Sequence, residues 1–290
     1  MQPCALSGQL GTHSTRKLAG KHRDMTEIPC PLHLSHKPFD ATGVLLHGFL
    51  GSHKSMEELS SYLDSSYILP DLVGHGSSPC PSEIGHYTLQ AMVNQIHEVT
   101  NSTFQTPFTL IGYSMGARLA LSYALAKQDR IRSLILIGGS PGIQDEADRH
   151  QRALDDVQKI ALLEDRGLSQ FVNAWESQRI FSSQRFLPSD KLLAQRRARL
   201  STKPVSIINH LRASGTGVMK PLWGQLDKIH IPVLLIVGSK DRKYVEIAER
   251  MQPKIPSSTI SILPGSGHAV HFEKPLETAD VINKFVREVQ

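Results

Sequence analysis

The chain has 290 residues, 40% of them hydrophobic and 20% charged, with 21 Gly and 17 Pro spread along it. This usage fits a globular protein with a sizeable core and excludes collagenous, coiled-coil and wholly disordered chains, while the length admits one large α/β unit carrying an insertion. The formal charge is +5, but residues 1–37 hold Arg16, Lys17, Lys21, Arg23 and Lys37 against Asp24 and Glu27, so +3 of it falls there, too little remains for a phosphate-binding surface, and no nucleic-acid partner is expected.

Residues 1–37 read as a disordered N-terminal extension without the hydrophobic stretch of a secretory signal. Their acid-poor, Ser-, Arg-, Lys- and His-containing start leaves an organelle transit sequence open as the alternative to a cytoplasmic protein. Cys4, Cys30 and Cys80 form an odd set with no C-x-x-C pair, which argues against a disulfide framework and a structural zinc site and fits a reducing cytoplasm. The longest apolar runs, such as Val233 to Val237 and Leu134 to Ile137, fall far short of the roughly 20 residues that cross a bilayer. No membrane span is expected.

From Thr42 onward short apolar or β-branched runs alternate with helical patterns, the signature of a mostly parallel central sheet flanked by helices. Gly43 to Leu46, Tyr67 to Leu69, Phe108 to Ile111, Ser133 to Ile137, Pro232 to Val237 and Thr259 to Leu263 are the predicted strands. Their carboxyl ends are where an open α/β sheet holds ligands. After Gly142 the alternation stops and charged helical patterns follow at Asp145 to Glu164, Leu168 to Trp175 and Lys191 to Leu200. The strand pattern resumes at Ile231. Residues 38–142 and 223–290 therefore form the expected α/β core, and residues 143–222 a helical cap inserted into it.

Phe108 to Ile111 run into Gly112-Tyr113-Ser114-Met115-Gly116 and then into a helix of small residues, the strand–turn–helix context of a nucleophile elbow. The turn strains Ser114, and Gly112 and Gly116 supply the small neighbours it needs. A serine hydroxyl needs an imidazole to take its proton and a carboxylate to orient that imidazole. Asp241 follows the strand ending at Val237, and His268 follows the strand ending at Leu263 through Pro264-Gly265-Ser266-Gly267, giving the chain order Ser, Asp, His. His271 competes with His268, which the flexible turn before it favours. Asp71 competes with Asp241, but its loop precedes the nucleophile and reads as turn-stabilising. Leu45 to Gly51 end an early strand in a Gly-rich turn that can aim backbone N–H groups at developing negative charge, and Phe49 and Met115 are the expected oxyanion donors.

From about Gly43 to the end these residues resemble the α/β-hydrolase superfamily, which implies an α/β-hydrolase fold with its cap. L-H-G-F-L-G-S from Leu46, G-Y-S-M-G-A-R at 112–118 and G-G-S-P-G-I-Q at 138–144 further resemble the family of 2-succinyl-6-hydroxy-2,4-cyclohexadiene-1-carboxylate synthases of menaquinone biosynthesis. That resemblance implies a lyase: Ser114, raised in basicity by its triad, takes a proton from a carbon of 2-succinyl-5-enolpyruvyl-6-hydroxy-3-cyclohexene-1-carboxylate, and pyruvate is expelled. Ala117 departs from the Gly most members carry there, a site that asks only for a small side chain.

Arg118, four residues past Ser114, falls on the same helix face. A substrate with three carboxylates gives it a task that an ordinary ester does not, because guanidinium binds carboxylate through two parallel hydrogen bonds. The resemblance also implies substrate contacts from Tyr113 and Gln144, from Arg149 or Arg152, from Trp175 and Phe181 at a W-x5-F spacing, and from Lys243. No metal or organic cofactor is implied; the expected partner is a small polycarboxylate. A serine hydrolase of esters or carbon–carbon bonds remains the competing reading, and a non-catalytic ligand-binding scaffold a more distant one.

Overall fold

In the computed structural model, which describes residue 1, residues 30–35 and residues 38–289, six strands pair in parallel in the order β2-β1-β3-β4-β5-β6. They are β1 (Gly43–Leu46), β2 (Tyr67–Ile68), β3 (Phe108–Tyr113), β4 (Ile131–Ile137), β5 (Val233–Gly238) and β6 (Ser258–Leu263). Each lies within two residues of its predicted bounds. The extension, with Cys4 and its basic residues, falls outside the described residues apart from Met1 and residues 30–35.

Because successive strand side chains point to opposite faces, β1 sends Val44 and Leu46 into one apolar cluster and Leu45 into another. The first cluster packs against α2 (Leu89–Thr103), α3 (Met115–Lys127) and α7 (Arg242–Met251); the second packs against α1 (Lys54–Ser61) and α9 (Pro275–Glu288). With both faces covered, strands such as β5 are buried along their whole length. No helix among the described residues is long and apolar enough to cross a membrane.

Between β4 and β5 the chain forms α4 (Glu146–Glu176), α5 (Ser189–Leu200) and α6 (Pro204–Ala213). The two helices predicted on either side of residue 167 are joined into α4, broken at Gly167, whose φ of 76° and ψ of 173° interrupt the helical ladder at a residue that adopts them without a Cβ clash. Pro204 opens α6, a helix with no counterpart in the sequence-based reading. The ends of this segment are tied together, Leu222 N–H donating to the Pro141 carbonyl at 2.7 Å and Trp223 Nε1 to the Gly142 carbonyl at 2.8 Å. That tie returns the chain beside its point of departure and lets β5 pair with β4.

A third cluster, Ile160, Leu163, Phe171, Val172, Ile207 and Leu211, packs the helical segment around Leu50. Leu50 holds a left-handed backbone (φ 60°), a conformation costing a leucine about 1–2 kcal/mol. Its burial, to 2% exposure, contributes about 1.5–3 kcal/mol and offsets that strain. The turn after β1 is thereby held against the helices above it.

Candidate active site

The turn from β3 into α3 sets Ser114 at φ 52° and ψ −104°, at the N-terminus of α3. Such a backbone costs a non-glycine residue about 1–3 kcal/mol, and the packing around it leaves no alternative. A Cβ on Gly112 would lie 2.3 Å from the Gly116 carbonyl oxygen, and one on Gly116 would lie 2.5 Å from the carbonyl oxygens of Leu46 and His47. Ser114 N–H donates to the Ile137 carbonyl at 2.9 Å, locking the elbow to the end of β4.

Two further strand ends bring up the partners. Ser114 Oγ lies 3.0 Å from His268 Nε2, and His268 Nδ1 lies 2.8 Å from Asp241 Oδ2. With the carboxylate as acceptor, Nδ1 carries the proton and Nε2 presents its lone pair to the serine hydroxyl. The loop bearing His268 is held by Gly267 N–H on Glu273 (2.8 Å), Gly265 N–H on Ser239 Oγ (2.9 Å) and Ser266 Oγ–H on the Leu263 carbonyl (3.0 Å). Tyr244 packs at 4.4 Å from the imidazole centroid, and a Cβ on Gly138 (φ 56°) would lie 2.8 Å from His268 Cε1.

Phe49 and Met115 line the same cavity as Ser114, and the Phe49 N–H donates to no backbone acceptor among the described residues. The Phe49 N–H shares a peptide plane with the Gly48 carbonyl, which accepts from His47 Nδ1 (2.8 Å) and Gly51 N–H (3.0 Å). Those two bonds fix the orientation of the shared peptide plane, as a preorganised anion donor requires. The other His47 nitrogen accepts from Leu72 N–H at 3.0 Å, so the ring stays neutral; burial also pulls its pKa down to about 4.

Above the serine lies a cavity of about 590 Å³ whose walls carry Lys54, Arg118, Arg152, Lys191 and Arg199 against Glu58 and Asp190. Arg118 reaches it from α3, its Nη2 donating to the Ser214 carbonyl at 3.2 Å while Nε has no partner. Burial lowers its pKa to about 10, which leaves it charged at neutral pH. Arg152 is held by Asp156 at 3.0 Å and Arg199 by Glu176 at 3.1 Å, both at the cavity wall. Trp175 and Phe181 line the cavity 5.9 Å apart, with Trp175 also against Phe49. Tyr113 lines it too, packed on His271, and burial raises its phenol pKa.

Three residues that the family resemblance points to stand elsewhere. Gln144 is exposed, its Oε1 accepting from Arg250 at 3.1 Å. Arg149 folds back on the carbonyls of Ile143 and Gln144, both at 3.2 Å, and Lys243 stands exposed on α7 outside the cavity lining. Of the two cap arginines left open, the cavity takes Arg152. Asp71 receives the backbone N–H groups of His53 (2.7 Å) and Ser77 (2.9 Å) and the His53 ring, and so braces its own loop. With His33 these two groups form the one set among the described residues whose ligand atoms could converge on a cation, within 4.8 Å of one another, but the carboxylate is already occupied by the His53 and Ser77 donors.

Sequence reasoning missed Arg199, Tyr244 and the lining role of His271. Arg199 follows Gln195 by four residues on the helix face that lines the cavity, but Arg196 stands in the same relation to Leu192, so local spacing does not single it out. Tyr244 carries no local signal either.

A strand-end serine, histidine and aspartate beneath a helical segment inserted between β4 and β5 define an α/β-hydrolase, and the family model for the alpha/beta hydrolase fold matches residues 44–275. A Bacillus subtilis (strain 168) protein assigned as a 2-succinyl-6-hydroxy-2,4-cyclohexadiene-1-carboxylate synthase is 35% identical over 85% of this chain and 90% of its own. The Serratia proteamaculans (strain 568) synthase of that name is 25% identical over 84% and 92%. The solved structure of MenH from S. aureus superposes with a TM-score of 0.84 at 33% identity, covering 90% of this chain and 99% of that one. The chain therefore belongs to the α/β-hydrolase fold family and, within it, to the family of 2-succinyl-6-hydroxy-2,4-cyclohexadiene-1-carboxylate synthases.

Proposed function

We propose that the protein is a lyase of menaquinone biosynthesis that eliminates pyruvate from 2-succinyl-5-enolpyruvyl-6-hydroxy-3-cyclohexene-1-carboxylate. The observation that carries this reading is the shared cavity: three guanidinium groups, those of Arg118, Arg152 and Arg199, stand in the walls around Ser114, and the substrate presents three carboxylates. Desolvating three anions is costly unless each meets a charged donor, so a cavity of this charge suits a polyanion far better than a neutral ester.

The chemistry follows from the hydrogen-bond order at the serine. His268 Nε2 draws off the Ser114 proton at 3.0 Å, and Oγ removes a proton from the substrate carbon next to the succinyl carbonyl. Asp241 holds the Nδ1 proton in place and stabilises the imidazolium that forms. The electron pair passes onto the carbonyl oxygen, where the Phe49 and Met115 amides receive it; one such donor is worth about 3–4 kcal/mol. Its return forms a double bond between ring carbons 2 and 3, shifts the existing 3,4 double bond to carbons 4 and 5 and breaks the carbon–oxygen bond at carbon 5; the enolpyruvate that leaves takes up the proton held by His268 and tautomerises to pyruvate. Residues 143–222 serve as the cap, closing water out of a site set in the core of residues 38–142 and 223–290, and the cytoplasm is the compartment this reading assigns.

The test is to supply the purified protein with the enolpyruvyl substrate and follow pyruvate. Stoichiometric release with formation of the cyclohexadiene is expected. Release of neither product, together with turnover of neutral p-nitrophenyl esters, would move the assignment to a serine hydrolase.

A further inference from the structure

We propose that the protein has a second anion site, for a small carboxylate, in a groove of the helical segment behind the Phe181–Arg199 partition. The groove, about 600 Å³, lies between the end of α4, the turn Arg179–Phe186 and the first turns of α5. Phe181 and Arg199 line both this groove and the main cavity. Arg185 and Arg196 join Arg199 in its walls, against the single carboxylate of Glu176.

Two features mark it as a binding site rather than a gap in packing. Glu176 accepts from both Arg196 and Arg199 and so cannot neutralise the set, which leaves the walls with an excess of positive charge. Gln184, 5% exposed, lines the groove with an Nε2 that has no hydrogen-bond partner. A buried amide donor without an acceptor is unfavourable, and native structures rarely leave one so. Ser189 opens α5 at the groove wall with no side chain capping that helix end, adding to the positive potential. An acceptor that also carries negative charge satisfies all of these groups together, and a planar carboxylate suits guanidinium.

That this carboxylate is the released pyruvate, met on its way out past Phe181, rests on the lyase reading; the binding itself does not. The experiment is calorimetric titration of the full chain with pyruvate, which needs no turnover, so a failure here leaves the lyase reading standing. Wild type is expected to bind pyruvate in the millimolar range. Gln184→Leu should weaken it about tenfold, the loss of one hydrogen bond to a charged group, while Arg118→Gln in the main cavity leaves it within about twofold. Leu193→Trp at the exposed rim fills the groove without touching a buried polar group and should give the same loss as Gln184→Leu, whether or not that variant folds well. The proposal is overturned if wild type shows no binding, if Arg118→Gln rather than the groove variants removes it, or if chloride and inorganic phosphate bind as tightly as pyruvate.

Discussion

Ser114, Asp241 and His268 stand on turns that directly follow β3, β5 and β6 of one hydrogen-bonded sheet, whereas Arg152, Trp175, Phe181 and Arg199 stand on the helical segment, which meets that sheet through side-chain packing and the tie at residues 141–142 and 222–223. In the first region backbone ladders and glycines with no room for a Cβ fix where each turn leaves the sheet. In the second, ion pairs such as Arg152–Asp156 and Arg199–Glu176 place the charges within one segment. On the lyase reading proposed above, the two regions divide the labour: the sheet end would carry the proton transfers, which demand distance, and the helical segment recognition, which demands charge and shape.

The division breaks first at Ser114. Ser114→Ala is expected to lower kcat for pyruvate release by about 10⁴-fold or more, with KM little changed, and Ser114→Ala/His268→Ala should lose no more than the single variant, because the two act as one unit. Steady-state kinetics of the three proteins checks this; additive losses would mean that His268 acts independently of the serine.

The next largest effect belongs to Arg118, which joins the two regions through its bond to the Ser214 carbonyl. Among the described residues its charge has no acidic partner in direct contact, so on the proposed reading a substrate carboxylate would serve as its counterion. Arg118→Gln should cost about 10²–10³-fold in kcat/KM on the tri-anionic substrate, the scale of losing one partner of a buried ion pair. Hydrolysis of neutral p-nitrophenyl esters, where detectable, should change less than about threefold. Equal losses on both substrates would remove the charge argument.

What could be read from the sequence follows the same line. The elbow, the Gly-rich turn after β1 and the positions of Asp241 and His268 were legible because each is a local event, a strand ending in a turn whose residue types are dictated by backbone geometry. Arg118 was legible because it lies one helical turn from the serine. Arg199 and Tyr244 were not, since their approach depends on how α5 and α7 dock over the sheet ends. Gln144, Arg149 and Lys243 show the converse: the motif or spacing is present, but Arg250, the helix-end carbonyls and the outer face of α7 hold these side chains away from the cavity. The resemblance named α6 no better than periodicity did, and α6 supplies the seam between the two regions.

That seam is rich in histidine. His210 of α6 donates from Nε2 to the Val73 carbonyl at 2.9 Å and lies tilted against His75 with ring centroids 4.7 Å apart; His75 in turn lies 5.0 Å from His47. Burial depresses all three pKa values, to about 4 for His47 and His210 and well below the usual range for His75, where the other two histidines also contribute. The unfolded chain takes up protons near pH 6.5 while the folded one refuses them until pH 4, so stability is full above 6.5 and is lost as the pH falls between those values. His47 and His210 should each cost about 2 kcal/mol between pH 7 and pH 5. Urea denaturation at the two pH values measures the loss, and His75→Phe, which keeps a ring at that position, should reduce it. A pH-independent midpoint would show that the seam is not closed by neutral imidazoles.

The smallest effect expected is at Arg199, and it tests the division most directly. Its guanidinium shares Glu176 with Arg196, so removing it leaves that carboxylate still paired, and the local structure should survive. It lines the cavity from the helical segment, and on the proposed reading it would meet a substrate carboxylate away from the bonds that change, a contact the same before and during proton transfer. Such uniform binding lowers KM without touching kcat. Arg199→Gln should therefore raise KM about tenfold and leave kcat within about twofold, as measured by initial rates of pyruvate release over a wide substrate range. A fall in kcat matching the fall in kcat/KM would place Arg199 among the groups that stabilise the transition state, and recognition and chemistry would then not be divided between the two walls of the cavity.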